Sequence, residues 1–255
     1  MVVTIVMPVS RPDFLKRIFA QLDMMECDAE STNLLCYVDG PVDLFAKTRD
    51  MVVQTKFHEK LCVYRKKGLP NISHLRQRRK RIADIHNEIK GMIGTCDFIF
   101  LIEDDTLFPT NTLKKLLHDY TLNPYAGFIS GVQVGRWGFN VLGIWAVDNP
   151  YNVQKIESLL PKTEILQKID AAGFFCCLTR RQTYLSCNLE PFDVILGPDV
   201  FYGIYARKQG LYNYVDWSIS TSHLTKRGEI KMHNTTLQKI TFSKIASEKW
   251  EQVVE

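Results

Sequence analysis

Apolar residues along this chain alternate between short continuous runs and helical spacings, and the first hundred residues read almost as a list of strands and helices in turn. Residues 2–7 are a β-branched and aliphatic run that predicts a first strand, stopped by Pro8. Phe14, Leu15, Ile18, Phe19 and Leu22 follow at helical spacing, with Ser10 placed to cap a helix that starts at Arg11-Pro12 and runs to about residue 25. Residues 33–38 predict a second strand, closed by the turn signal Asp39-Gly40-Pro41. A helix over about 43–57, a strand over 61–64 and a loop with Gly68, Pro70 and Asn71 come next. A helix over about 73–93 carries the apolar stripe Leu75, Ile82, Ile85, Ile89 and Met92/Ile93. Phe98-Ile99-Phe100-Leu101-Ile102 then has no polar residue at all, the pattern of a strand covered on both faces. Strands alternating with helices in this way predict an α/β fold with a mostly parallel, doubly wound sheet.

That apolar strand ends abruptly in Glu103-Asp104-Asp105. Three adjacent acids repel one another, and a divalent cation relieves the repulsion; carboxylates suit hard ions such as Mg2+ or Mn2+, with substrate phosphates completing the shell. A solvated turn with Asp105 or Thr106 capping the next helix accounts for the same residues. Upstream, eight Lys or Arg and no acid lie between Arg65 and Arg81. At 100° per residue Arg78 falls near the middle of the apolar stripe, whereas Arg76 and Lys80 point away. An arginine there needs an anion or a carboxylate, or else snorkels to the surface. Ligands of doubly wound sheets bind at the carboxyl ends of the strands, so Asp39, Arg78 and the three acids are expected on one edge.

The second half is richer in glycine, aromatics and short strands. A helix over 111–120 precedes strand candidates at 128–134, 139–147 and 165–179, which predict a smaller mixed sheet built onto the same core. Gly197-Pro198-Asp199 opens a helix that ends at Gly210, so Asp199 has a plain use as a helix cap. A strand over 211–217 leads to Ser222-His223, where a histidine has an ordinary structural use. Residues 237–254 read as a surface helix. No low-complexity linker or repeat divides the chain, which predicts one domain: a half over 1–109, a half over 110–235 and a helical tail over 236–255.

Composition narrows the class. A hydrophobic content of 45% and a charged content of 24% over 255 residues describe a globular protein with ample core, and the apolar runs are strand length, too short to span a membrane. The N-terminus reads as a first strand and not as a signal peptide. Seven cysteines, an odd number without CxxC spacing and with Cys176 next to Cys177, fit reduced thiols in a cytoplasmic protein better than a disulfide framework or zinc site. The sequons at Asn71 and Asn234 then carry no meaning. The net charge of +4 is mild.

Taken in order, these residues resemble the GT-A (Rossmann-like) fold glycosyltransferases, most closely the family 2 type of inverting nucleotide-sugar transferases. The resemblance covers about residues 3–223. It is carried by the first strand ending in Pro8-Val9-Ser10-Arg11, the second ending in Val38-Asp39-Gly40, the Arg-rich helix, and the DxD-type position Glu103-Asp104-Asp105. Asp170 to Phe175 through Arg180-Arg181 is similar to the family's acceptor-side strand, Gly197-Pro198-Asp199 to its base-bearing motif, and Ser222-His223 to its late metal-ligating histidine. The sequence departs from the pattern in two places: the motif is EDD, and Pro198 stands where a glutamate usually precedes the base.

The resemblance implies a metal-dependent enzyme of hexosyltransferase type that uses a nucleotide-diphosphate sugar, UDP-linked in the first instance, and inverts the anomeric centre. Pro8, Ser10, Arg11 and Asp39 would hold the base and ribose. Asp105 and His223, assisted by Asp104 or Glu103, would hold Mn2+ or Mg2+, while Arg78 and Arg81 offset leaving-group charge. Asp199 would be the catalytic base, and Trp137, Trp145 or Tyr202 would stack on a sugar or acceptor ring. The acceptor is left open among a glycan, a lipid-linked sugar, a protein and hydroxymethylated DNA. Two other classes compete. A sugar nucleotidyltransferase needs a Gly-rich loop after the first strand, and Pro8-Val9-Ser10-Arg11 contains no glycine. A nucleic-acid-binding protein would use the basic run, which lacks interleaved aromatics.

Overall fold

The structure, a computed structural model, describes residues 1–65, 75–135, 140–192, 196–232, 236–246 and 249–254. The predicted loop at Gly68, Pro70 and Asn71, the helix start at Ser73, the sequon at Asn234 and the stacking candidate Trp137 lie outside the described residues.

The N-terminal half alternates strictly: β1 (Val2–Val9), α1 (Leu15–Met24), β2 (Ser31–Val38), α2 (Val42–Gln54), β3 (Lys60–Tyr64), α3 (Leu75–Lys90) and β4 (Phe98–Ile102). The short β5 (Thr106–Leu107), α4 (Thr112–Leu122) and β6 (Ala126–Val132) follow. Next come β7 (Ile144–Val147), β8 (Lys155–Ser158), β9 (Leu166–Ile169), β10 (Ala171–Ala172), β11 (Cys176–Arg180) and α5 (Arg181–Ser186). The chain closes with α6 (Pro198–Lys208), β12 (Tyr212–Ser220), β13 (Ser222–Thr225), β14 (Gly228–Lys231), β15 (Ile240–Ala246) and β16 (Lys249–Val254).

Eight strands form the central sheet in the order β3-β2-β1-β4-β11-β6-β12-β9. The first four are parallel, β11 runs antiparallel between β4 and β6, and β12 is again parallel to β6. Every residue of β4 is buried, as its uninterrupted apolar sequence requires of a central strand. The strand order reverses at β1, with β2 and β3 on one side and β4 on the other, which opens a crevice at the carboxyl ends of β1 and β4. Smaller antiparallel sheets flank this core, β10-β7-β8-β15-β16 and β14-β13-β5. The α/β architecture, with a large mostly parallel sheet and a smaller sheet in the C-terminal half, is as the pattern predicts.

Three local expectations change. β1 continues through Pro8 to Val9, because β4 pairs only with residues up to Val6 and the missing N–H is tolerated beyond that pairing. Ser10 does not cap α1, which begins at Leu15; its N–H is engaged by Asp104 instead. The C-terminal tail is not a helix but the hairpin β15–β16, paired to the exposed edge of β8. Ile240 and Phe242 point inward and join Trp145, Ile156, Val200 and Ile204 in a second apolar cluster. Their β-branched and aromatic neighbours, Thr241, Val253, Val254 and Trp250, suit a pleated, half-buried surface and not a helix. All seven cysteines are free thiols. Among the described residues no helix is long and apolar enough to cross a membrane.

Candidate active site

Two cavities adjoin at the crevice. The first, a cleft of about 460 Å³, lies over the carboxyl ends of β1, β2 and β4. Pro8, Ser10, Arg11, Asp39, Arg78, Arg81, Glu103 and Asp104 all line it, so eight of the residues predicted from sequence meet there. Asp39 and Glu103 arrive as the first polar residues after apolar strands, and Asp104 as the next one. Asp104 is 2% exposed and accepts hydrogen bonds from the N–H groups of Ser10 (2.6 Å) and Arg11 (2.7 Å), while Arg11 Nη1 lies 2.5 Å from its Oδ1. Burial raises the Asp104 carboxyl above its ordinary range, with Arg11 and the two N–H groups working against that rise. Burial also opposes the Arg11 charge, but Asp104, Asp105 and Glu103 outweigh it and the guanidinium pKa is raised.

On the far side of the cleft Asp39 is gripped by Arg81, whose Nε is 2.5 Å from Oδ2, with Arg65 Nη1 3.7 Å from Oδ1. Arg65 in turn binds Glu88 at 2.9 Å, and the Tyr37 hydroxyl donates to Glu88 as well. Burial and the Glu88 carboxylate push the Tyr37 hydroxyl up to about 12, so it stays a donor. Arg78 is exposed, and it lines the cleft on the helix face that continues to Ile85 and His86.

Asp105 is fully buried and caps no helix, since β5 follows it directly. Its Oδ2 lies 2.8 Å from Arg11 Nη1 and 3.1 Å from His223 Nε2. β13 brings His223 here by pairing with β5, His223 opposite Thr106. His223 Nδ1 donates to the carbonyl of Val134 at 3.1 Å, which turns Nε2 toward the Asp105 carboxylate. The contact is a hydrogen bond between the imidazole and the carboxylate, and Arg11 brings a cation to the same oxygen; an oxygen and a nitrogen donor side by side are also of the kind that could ligate Mn2+ or Mg2+. They do not form an all-protein cage: among the described residues no three His, Cys, Asp or Glu side chains converge on one point. One or two carboxylates with substrate phosphates completing the shell is the ordinary arrangement for such an ion.

The second cavity, about 190 Å³, opens beyond Arg11, Ile82 and Glu103, which line both spaces. Trp145, Phe175, Val141 and Leu142 wall it, and Asp199 and His223 reach into it. Asp199 stands in the first turn of α6, after Pro198 at the start of the helix. Its Oδ1 is buried without a hydrogen bond among the described residues. Burial raises its carboxyl, opposed by Arg79 and by the N–H groups of Val200 and Asp199 itself. A Cβ on Gly197 would sit 2.4 Å from Asp199 Oδ1, so the glycine of Gly197-Pro198-Asp199 is a space requirement of the acid. Tyr202 does not stack in either space: it is fully buried, with its hydroxyl 2.6 Å from that of Thr179. Trp145 does line the cavity, braced from behind by Phe242 with ring centroids 6.1 Å apart.

Sequence reasoning missed Arg79, which lines this cavity beside Asp199. It also missed Gln133, a buried cavity residue that donates to the Thr106 hydroxyl at 2.7 Å. A larger cavity, about 600 Å³ between α1 and β14, holds none of these groups.

No family model and no curated protein sequence matches this chain. Solved structures do resemble it. Residues 1–349 of S. aureus TarS align with a TM-score of 0.50 at 10% identity, covering 90% of this chain and 59% of that one. The longer S. aureus TarS structure gives 0.49 at 9% identity, covering 90% of this chain and 36% of that one. A197 from STIV gives 0.49 at 11% identity, covering 98% and 97%. This chain therefore spans about a third of the longer TarS structure. The likeness to the TarS fragment, at a TM-score of 0.50, is one of fold, and the fold of this chain is GT-A-like.

Proposed function

We propose that this protein is a glycosyltransferase that moves a sugar from a nucleotide-diphosphate donor, a UDP-sugar in the first instance, to an acceptor hydroxyl by a single inverting displacement. The observation that carries the reading is the pair of adjoining cavities at the β1/β4 crevice. One is lined by arginines and buried carboxylates, and the other holds one acid of raised pKa among aromatic walls.

In this reading the cleft receives the nucleotide. Asp39 accepts hydrogen bonds from base or ribose, Pro8, Ser10 and Arg11 shape the floor, and Arg78 and Arg81 offset charge as it develops on the diphosphate. Asp105 and His223, with Asp104 or Glu103 assisting, would hold Mn2+ or Mg2+, which supplies Lewis-acid stabilisation of the departing phosphate. The acceptor hydroxyl enters the cavity, and Asp199 takes its proton as the oxygen bonds to the anomeric carbon and the bond to the diphosphate breaks. Burial favours this role, because a carboxyl lifted toward neutral pH is a stronger base. Trp145 and Phe175 keep water from competing for the sugar.

A panel of nucleotide sugars assayed for hydrolysis and transfer, with Mn2+ and with chelator, tests the reading. One donor turned over only with the metal is expected; no metal-dependent binding or turnover of any of them overturns it. Hydroxymethylated DNA belongs among the acceptors offered, because Arg76, Arg78 and Lys80 are exposed at the start of α3, the helix that borders the cleft. Salt-sensitive DNA retention without donor turnover would identify a binding protein instead.

A further inference from the structure

Helix α3 borders both cavities through Ile82, and its consecutive arginines line different ones. Arg78 lines the cleft with Asp39 and Arg81, whereas Arg79, about 100° further round the helix, lines the cavity with Asp199. α3 packs against α6 here, and Arg79 reaches the opening turn of that helix. A Cβ on Gly197 would meet Arg79 Nη1 at 3.0 Å and Asp199 Oδ1 at 2.4 Å, so guanidinium and carboxylate close on the same small volume. Gly197 leaves that volume open to both.

The other charged and titratable groups around Asp199 serve elsewhere. Arg11 is committed to Asp104 and Asp105, His223 faces Asp105, and Glu103 lies at the border with the cleft. The buried thiol of Cys177 on β11 also interacts with Asp199, and burial holds that thiol well above its ordinary range, in its neutral form. Arg79 is the cation that acts on Asp199 directly. A buried carboxylate lacking a cation takes up a proton and cannot accept another.

Resting on the reading of Asp199 as the base, we infer that Arg79 is its positioning residue: it holds the carboxylate ionised and aimed into the cavity from the opposite wall. Arg79 does not line the cleft, so donor binding there should be independent of it.

Carboxyl 13C NMR of the aspartate-labelled full chain follows Asp199 through a pH titration, with Asp199→Asn identifying the resonance. An opposite charge within about 4–6 Å lowers a carboxyl pKa by about 1–3 units, so Arg79→Gln should move the midpoint up by that amount. Arg79→Lys should return most of the shift. In transfer assays with the UDP-sugar chosen by the donor panel, the acidic limb of kcat should move up with the midpoint while the donor KM stays unchanged. Arg79→Met is a further neutral variant in case the glutamine variant fails to fold. A midpoint and acidic limb left at their wild-type positions in the folded neutral variants overturn the inference. If Asp199→Asn abolishes transfer in that case, the base assignment still stands; if Asp199→Asn retains transfer, the base assignment itself is wrong and the role of Arg79 falls with it.

Discussion

The cleft and the cavity share Arg11, Ile82 and Glu103, yet they treat buried charge differently. In the cleft Asp104 and Asp39 each have a cation at contact distance, Arg11 and Arg81, and backbone N–H groups fill remaining positions on Asp104. In the cavity Asp199, which like Asp39 has one oxygen buried without a hydrogen bond among the described residues, sits among apolar walls with Arg79 as the cation acting on it. A set of fixed ion pairs suits the binding of a charged group, because the cations are already in place when it arrives. A buried acid among apolar walls suits proton transfer, because its ionised form has the most to gain from a new partner. In the proposed reading, the difference teaches that one fold keeps binding and proton chemistry apart by setting their acids in different surroundings, ion pairs in one space and apolar walls in the other.

The largest effect that sharpens this contrast is expected at Asp199. Asp199→Ala should leave UDP-sugar binding intact and lower transfer by a factor of about 10²–10⁴. Binding isotherms and turnover on the same preparation check it, and persistent transfer removes Asp199 as the base. Next comes the cleft. Arg11→Ala leaves Asp104 and Asp105 buried side by side, and stripping one partner from a buried pair costs about 3–5 kcal/mol. Urea denaturation should show that loss, and Mn2+ with UDP should recover part of it by replacing the missing cation. A variant as stable as wild type would mean that the cleft carboxylates do not depend on Arg11.

The smallest effect concerns a third acid pair outside both spaces. Asp119 on α4 meets Asp216 on β12 without an arginine, and burial together with the Asp216 carboxylate pushes Asp119 up to about 7. A folded-state value above the unfolded one adds stability that is full below the ordinary aspartate range and is lost as pH rises through about 7. Asp119→Asn keeps the hydrogen bond without the titration. It should match wild type near pH 3 and melt progressively higher as pH rises, by about 2–4 °C or more near pH 8. Equal melting curves at both pH values would show that the pair does not share a proton.

The parallel half was legible because its strands are covered on both faces, so that 98–102 and 33–38 appear as unbroken apolar runs. The residue after each run is fixed to the strand end, which is why Asp39 and Glu103 to Asp105 could be placed from sequence. The hairpin β15–β16 was not legible. Its charged positions, Lys239, Lys244, Lys249 and Glu251, fit a solvated helix face equally well, and the free edge of β8 that selects the strand lies far away in sequence. Arg79 escaped notice for a related reason. Helical periodicity locates Arg78 on the face of Ile85, but which neighbour faces Asp199 depends on where α6 docks. Trp145 was read as a stacking candidate, yet nothing in its own segment says that Phe242 supports it.

That support has a consequence for how this molecule can change over generations. The opening strand shapes the cleft through Pro8 to Arg11, while the closing hairpin braces one wall of the cavity through Phe242 against Trp145. Variation in the last strands can therefore reshape what the cavity admits while leaving the acids and arginines of the cleft as they are. In the proposed reading, such an arrangement lets a lineage explore new acceptors at one end of its chain and keep its donor at the other.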